Sequence, residues 1–188
     1  NSDELKDLNQ YLDRMYTETL DTAFLAVKLN FLLGLRVGEL VALKWEEYIN
    51  INHLHIVREE VRNQVTNQYE VVEHTKTNRD RFVVLVPKAI NILQKIERTG
   101  DYIFMRNGER LTSRQIAYVL EKYAERQGLS TKSTHKMRKT FASNLNASGV
   151  PLDCIRELLG HSNLNTTLGY IYNPLTEKET YDLISKAL

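Results

Sequence analysis

Tyr170 follows His161 by nine residues in the run Leu158-Leu159-Gly160-His161-Ser162-Asn163-Leu164-Asn165-Thr166-Thr167-Leu168-Gly169-Tyr170. His135-Lys136-Met137-Arg138 lies upstream, and Gly34-Leu35-Arg36-Val37-Gly38-Glu39-Leu40 lies far upstream. A phenol, two arginines and two histidines in this order suit attack on a phosphodiester. The nonbridging oxygens gather negative charge toward a pentacoordinate transition state, and fixed cations in a dry pocket stabilise that charge without reorganising. Arginine suits the task because its planar fork grips two oxygens and stays charged. The nucleophile must stand in line with the leaving oxygen, and an acid must protonate that oxygen. A tyrosine nucleophile forms a covalent phosphoester that conserves the bond energy, so a strand can be rejoined without a nucleotide cofactor.

Each residue also has an ordinary reading. Most arginines solvate a surface, but Arg36 lies between Gly34 and Gly38, where the backbone must turn, with Glu39 close enough to orient a guanidinium. His135 and Arg138 are three apart and share one side of a helix, a pattern that chance also produces on surfaces. His161 after Gly160 could simply close a helix end. Any one of the ten tyrosines is ordinarily a packing residue. Tyr172 is the internal rival to Tyr170. On a helix the two would point about 200° apart, so one alone could face a pocket, and the spacing from His161 favours Tyr170.

Taken together, these runs resemble the tyrosine recombinase family, the lambda-type integrases, over about Ala26 to Tyr172. Gly34-Leu35-Arg36 with Glu39-Leu40 is similar to the family's first arginine box. His135 through Leu145 is similar to its His-x-Leu-Arg-His-Thr-Phe-Ala box, with Met137 in place of leucine and Lys139 in place of the second histidine. Leu159-Gly160-His161 resembles the Leu-Gly-His box. The resemblance implies that Arg36, Arg138, His135 and His161 hold the nonbridging oxygens and that Tyr170 is the nucleophile, giving a 3′-phosphotyrosine. It implies that Glu39 is a buried supporting acid and that His135 can accept the tyrosine proton. It also implies a lysine on a hairpin turn that protonates the leaving 5′ oxygen. Lys76 in His74-Thr75-Lys76-Thr77-Asn78 fits that place, with Lys88 a weaker rival on a helix start and a solvated turn lysine the ordinary alternative.

The implied function is site-specific recombination of double-stranded DNA, for integration or excision of a mobile element, with no cofactor and no metal. Exchange through a four-way junction implies four protomers on DNA, while the isolated chain is expected as a monomer. The family's N-terminal core-binding domain is expected to be absent from this chain, because residues 1–22 are too short and too acidic to form it. Residues 1–188 then form a single catalytic domain that binds DNA weakly by itself. The tail over 173–188 implies docking on a neighbouring protomer, anchored by Leu183, Ile184 and Leu188. Three other readings are a type IB topoisomerase that relaxes DNA with similar residues, a non-catalytic DNA-binding domain, and a helical protein-interaction domain in which the motifs are coincidence. The presence of all six expected side chains argues against a decayed, non-catalytic domain.

The bulk composition is compatible with this. A chain of 188 residues suits one domain and buries about 70% of its unfolded surface. The single cysteine, Cys154, excludes an internal disulfide, suits a reducing compartment such as the bacterial cytoplasm, and is expected in the core. No apolar run approaches the roughly 20 residues of a membrane span. The net charge of +1 divides into −4 over residues 1–22 and +5 over the remainder. Bases cluster at Lys76, Arg79 and Arg81 and again at Lys132, Lys136, Arg138 and Lys139, enough for a local phosphate-binding face. His53, His55 and His74 lack a third ligand at convincing spacing, so no metal site is expected.

The elements that must position these groups are mostly helical. Apolar spacing predicts helices over 3–16, 19–34, 37–45, 87–98, 113–127, 135–148, 151–159, 166–172 and 176–186. Alternation and β-branched residues predict strands over 53–60, 68–75 and 81–86, forming one three-stranded antiparallel sheet. Pro87, Pro151 and Pro174 mark boundaries. The expected class is mainly α with a small antiparallel sheet (α+β), the catalytic-domain fold of the resembled family.

Overall fold

In the computed structural model, residues 2–130, 133–172 and 176–187 are described. Lys132, Pro174 and Leu188, to which the sequence reading gives roles, fall outside them.

The centre of the molecule is α2 (Thr22–Leu33). Asp21 starts it, its carboxylate accepting from the Ala23 N–H at 3.0 Å. The helix is buried on almost every side, through Ala23, Phe24, Leu25, Ala26, Val27, Leu29, Asn30 and Leu33. Phe31 and Leu32, expected on its inward stripe, are only half-buried. Around it pack α1 (Ser2–Thr19), α4 (Pro87–Leu93), α5 (Ser113–Arg126) and α6 (Thr134–Ala147). Tyr11, Phe24 and Tyr123 meet ring to ring in this core. A smaller core of Phe141, Ala142, Ile155 and Leu159 joins α6 to α7 (Leu152–Leu159). The chain ends with α8 (Leu164–Leu168) and α9 (Glu177–Ala187).

The helix α3 (Val37–Val41) is a short turn and stops well before Trp45, where a 3-10 turn, Trp45–Glu47, takes over. The α4 helix likewise ends at Leu93 instead of 98. At the start of α5 the expected Thr112 cap forms: its Oγ1 accepts from the Gln115 N–H at 3.4 Å, and Gln115 Oε1 accepts in return from the Thr112 N–H at 2.8 Å.

The sheet differs from the expected three-strand meander. The segment 53–60 is two strands, β2 (His53–Ile56) and β3 (Glu59–Arg62), after a short β1 (Tyr48–Ile49). The break coincides with Arg58, which is drawn under the surface by Glu47 at 2.7 Å and Glu73 at 3.0 Å. β3 pairs only with β4 (Tyr69–Val72), as a separate ribbon, while β2 skips it and pairs with β5 (Arg81–Val84). The three-stranded sheet is therefore β1-β2-β5, antiparallel throughout. A further hairpin, β6 (Met105–Arg106) with β7 (Glu109–Arg110), turns at Gly108.

Cys154 is exposed, contrary to its expected place in the core. The inward positions of α7 are Ile155 and Leu159, one helical turn apart. A residue one step before Ile155 points about 100° away from that face. No helix among the described residues is long and apolar enough to cross a membrane.

Candidate active site

Arg36 sits at the N-terminus of α3, directly after the α2 end. Gly34 ends α2 in the left-handed region, φ 61°. The buried Asn30 amide then fixes the next residue, accepting from Leu35 N–H at 2.9 Å and donating to Leu35 O at 3.1 Å. Glu39, wholly buried, reaches back one turn. Its carboxylate accepts from the Arg36 backbone N–H at 2.9 Å and from Arg36 Nη1 at 2.8 Å. Burial alone would push the Glu39 carboxyl up, but Arg81, Arg36 and Arg138 outweigh it and hold the pKa below the usual carboxylate value.

Arg138 projects from α6 into the same place and is 2% exposed. Its guanidinium donates to the Gly34 carbonyl and to the Leu159 carbonyl, so it joins the ends of α2 and α7. Burial, together with repulsion from Arg36 and Arg81, lowers its pKa to about 10, still a cation at neutral pH. Its Nε is buried and has no hydrogen-bond partner among the described residues.

Three arginines receive the end of α7. A helix leaves its last carbonyls without intrahelical donors and carries partial negative charge there. Leu158 O accepts from Arg81 Nε at 2.9 Å, Leu159 O from Arg138, and Gly160 O from Arg36 Nη2 at 3.3 Å. Gly160 itself is left-handed, φ 63°, and a β-carbon there would sit 2.9 Å from Arg81 Nη1. The held helix end delivers His161, which is buried and bonded through Nδ1 to Thr167 Oγ1 at 3.0 Å. Burial first, then Arg138, Arg36, Arg81 and His135, lowers its pKa to about 4, so it is neutral at pH 7.

Tyr170 lies beyond α8, whose end at Leu168 falls short of the expected 166–172 helix. Its hydroxyl is 3.3 Å from His135 Nδ1. Its ring meets His135 edge-on at 4.6 Å and His161 at 4.7 Å between centroids. Arg138 Cζ and Lys139 Nζ stand 5.7 and 5.9 Å from the ring centre. Burial, then Lys139 and Arg138, depresses the His135 pKa below its ordinary value, so the ring is a neutral acceptor at pH 7. Tyr172 points elsewhere. It is 44% exposed and lines a separate groove with Leu5, Leu8 and Phe31, while its backbone N–H donates to Ser143 Oγ at 3.0 Å.

The structure thus brings Arg36, His135, Arg138, His161 and Tyr170 together with Glu39 beneath them. Lys76 is not among them. It is exposed on the turn between β4 and β5, and makes no hydrogen bond or ion pair among the described residues. Thr75, buried beside it, ties the turn to Arg79 through its hydroxyl at 3.0 Å. Two members of the assembly escaped the sequence reading as site residues. Arg81 grips Glu39 with a fork, Nη1 to Oε1 at 2.9 Å and Nη2 to Oε2 at 2.7 Å. Its signal was parity: it shares a strand face with buried Val83. Thr167 gave no signal in the sequence. The strand histidines find ordinary partners, His53 with Asn52 and His55 stacked on Phe82.

A cluster of arginines, two imidazoles and a phenol gathered in one place form an arrangement chemically suited to binding an anionic oxygen ester beside a tyrosine hydroxyl. The chain belongs to the phage integrase family, whose profile matches residues 1–179. It is 30% identical to tyrosine recombinase XerC of Haemophilus ducreyi over 88% of this chain and 52% of that protein. It is 34% identical to tyrosine recombinase XerA of Thermococcus kodakarensis over 81% of this chain and 50% of that protein. The chain therefore spans about half the length of the curated relatives it matches. Its fold superposes on the Tn1549 transposon integrase in complex with circular intermediate DNA, with a TM-score of 0.76 at 18% identity, covering 100% of this chain and 66% of that one. It also superposes on XerA recombinase, with a TM-score of 0.67 at 20% identity over 96% of this chain and 61% of that one.

Proposed function

We propose that this chain is the catalytic domain of a site-specific DNA recombinase that cuts and rejoins strands through a 3′-phosphotyrosine, serving integration or excision of a mobile element. The observation that carries the reading is the placement of the Tyr170 hydroxyl, 3.3 Å from His135 Nδ1 and beside His161 and Arg138. The relatives' names, tyrosine recombinases and a transposon integrase, support the substrate class.

In this reading the scissile phosphate enters above Arg36 and Arg138. The outer N–H groups of Arg36 donate to the nonbridging oxygens, and the buried Arg138 cation behind them stabilises the charge that gathers there. His161 adds one N–H. With the Thr167 hydroxyl donating to Nδ1, the proton of the neutral ring lies on Nε2, free for a phosphate oxygen. The Tyr170 oxygen bonds to phosphorus as the bond to the 5′ oxygen breaks. The phenol proton passes to His135, and Lys76, swung in on its turn when DNA binds, protonates the leaving 5′ oxygen. The 5′ hydroxyl of a second strand then displaces Tyr170 in the reverse sense, so bond energy is conserved.

The partner is double-stranded DNA, in the bacterial cytoplasm and its nucleoid, and exchange takes place among four protomers. Leu183 and Ile184 of α9, 48% and 54% exposed, support docking of the tail on a neighbour. A nicked suicide duplex whose cleaved end diffuses away tests the central step. Incubated with the chain and resolved on a denaturing gel, it gives a covalent adduct that disappears in Tyr170→Phe and persists in Tyr172→Phe. An adduct lost only in Tyr172→Phe, or absent with cognate DNA, overturns the assignment.

A further inference from the structure

Arg81 is 9% exposed in its side chain, and each nitrogen of its guanidinium has a partner inside the protein. Nε holds the Leu158 carbonyl at 2.9 Å, and the two terminal nitrogens hold both oxygens of Glu39 at 2.9 and 2.7 Å. This side chain faces inward, and every one of its three nitrogens is tied to one of two partners from distant parts of the chain, so its fork is committed inside the protein. Both partners bear on the site. Glu39 holds the backbone and side chain of Arg36. Leu158 begins the carbonyl series that leads to His161. Arg81 is also the first residue of β5, directly after the turn that carries Lys76.

We infer that Arg81 is a positioning residue for strand cleavage, a rigid brace that holds the Arg36–Glu39 pair, the His161-bearing helix end and the base of the Lys76 turn in one register. This rests on the recombinase reading for its effect on rate, but the brace itself does not depend on DNA. Arg36 alone cannot substitute for it, because Arg36 reaches Gly160 O only at 3.3 Å while binding Glu39 through one terminal nitrogen. Lysine cannot substitute either, since one ammonium cannot span two carboxylate oxygens and a carbonyl in fixed planar geometry.

Two measurements test it. The first is the single-turnover rate of adduct formation at saturating DNA, followed against pH. Arg81→Met is expected to cleave about 100-fold more slowly, the cost of a displaced group in a positioned site, and Arg81→Lys to recover part of that rate. The groups facing Glu39 are Arg36, Arg81, Arg138 and the buried Glu59. Without the fork its carboxyl titrates higher, so protonation of Glu39 adds a loss of rate of its own to the acid side of the profile, beside that of His135, in Arg81→Met and less in Arg81→Lys. The second measurement is the imidazole titration of His161 by NMR without DNA. Arg138, Arg36, Arg81 and His135 all press on that ring, and Arg81→Met is expected to raise its titration from about 4.

A folded Arg81→Met that leaves both the pH profile and the His161 titration in place overturns the inference, even if its melting temperature falls. If Arg81→Met does not fold, Arg81→Lys decides: equality with the parent chain in rate and profile overturns the brace, and a slowed, shifted profile supports it. If the parent chain forms no adduct while His161 still shifts in Arg81→Lys, which keeps the charge and loses the fork, the recombinase reading fails and the brace stands.

Discussion

The α-carbon of Gly34 lies against the ring of Phe141, so closely that a β-carbon built on it would sit 2.2 Å from Cδ1. Phe141 is three residues after Arg138 on α6, and Arg138 donates to the Gly34 carbonyl. One glycine therefore sets both the packing of α6 on α2 and the seat of Arg138, an arginine proposed to be catalytic. Gly34→Ala is expected to combine overpacking with a disfavoured left-handed backbone, destabilising the chain by about 2–4 kcal/mol. Urea denaturation checks this, and an unchanged midpoint rejects the packing account.

Thr167 is expected to set the tautomer of His161. Thr167→Val removes the hydroxyl partner of Nδ1, found at 3.0 Å, and leaves the ring free to place its proton on the wrong nitrogen. Adduct formation should fall about tenfold, the worth of one hydrogen bond, while Thr167→Ser stays close to the parent. Equal rates for the valine and serine variants would remove Thr167 from the mechanism.

Cleavage should have an acid limb governed by His135. Because burial, Lys139 and Arg138 depress its pKa, the ring remains a base until the pH falls below its ordinary value of 6.5. Protonation below that point ends proton acceptance from Tyr170. Lys139→Met removes one depressing cation, so the inflection should move to higher pH. His135→Gln should slow cleavage about 10²–10⁴-fold and flatten the limb. A limb that ignores both variants belongs to another group.

His161 also links pH to stability. Its folded pKa of about 4 lies below the ordinary 6.5, so the unfolded chain binds the extra proton between those values. The stabilisation is complete above about 6.5 and drains away as the pH falls toward 4. Denaturation midpoints of the parent chain should drop over this window more steeply than those of His161→Asn. Parallel curves would mean that the histidine is not held neutral.

Lys76→Ala should leave Tyr170 and the cation cluster in place, since the lysine touches none of them in the absence of DNA. Cleavage should slow, and a substrate with sulfur in place of the leaving 5′ oxygen should restore it, because a thiolate departs without needing a proton. Failure of the sulfur substrate to rescue would point to Lys88 or to water as the acid.

The structure gathers five of the six side chains named from the sequence, and four of these, Arg36, His135, Arg138 and His161, lie in short runs whose local geometry the fold keeps, while Tyr170 lies past the end of α8. Gly34 and Gly160 mark helix ends that do close at those positions, and the His135–Arg138 spacing is helical in fact. What was not legible came from pairings between distant segments. The partition of 53–60 into two strands follows from Arg58 meeting Glu47 and Glu73, and no periodicity in that segment reports such a contact. Arg81 was visible as one base in a cluster, yet its inward position depends on which strand it pairs with. Cys154 went astray through chemical type, since helix phase overrode the ordinary preference of a thiol for the interior.

The three carbonyls at the end of α7 are held by arginines 77, 21 and 124 residues away along the chain. Contacts so far apart form late, because each closes a long loop that is rewarded only when the others close. An emerging chain has the arginines before it has the tyrosine, and a partly unravelled one keeps the tyrosine but scatters its company of cations. Whatever chemistry the proposed site performs is thereby tied to completion of the fold, and a half-made molecule is blunt.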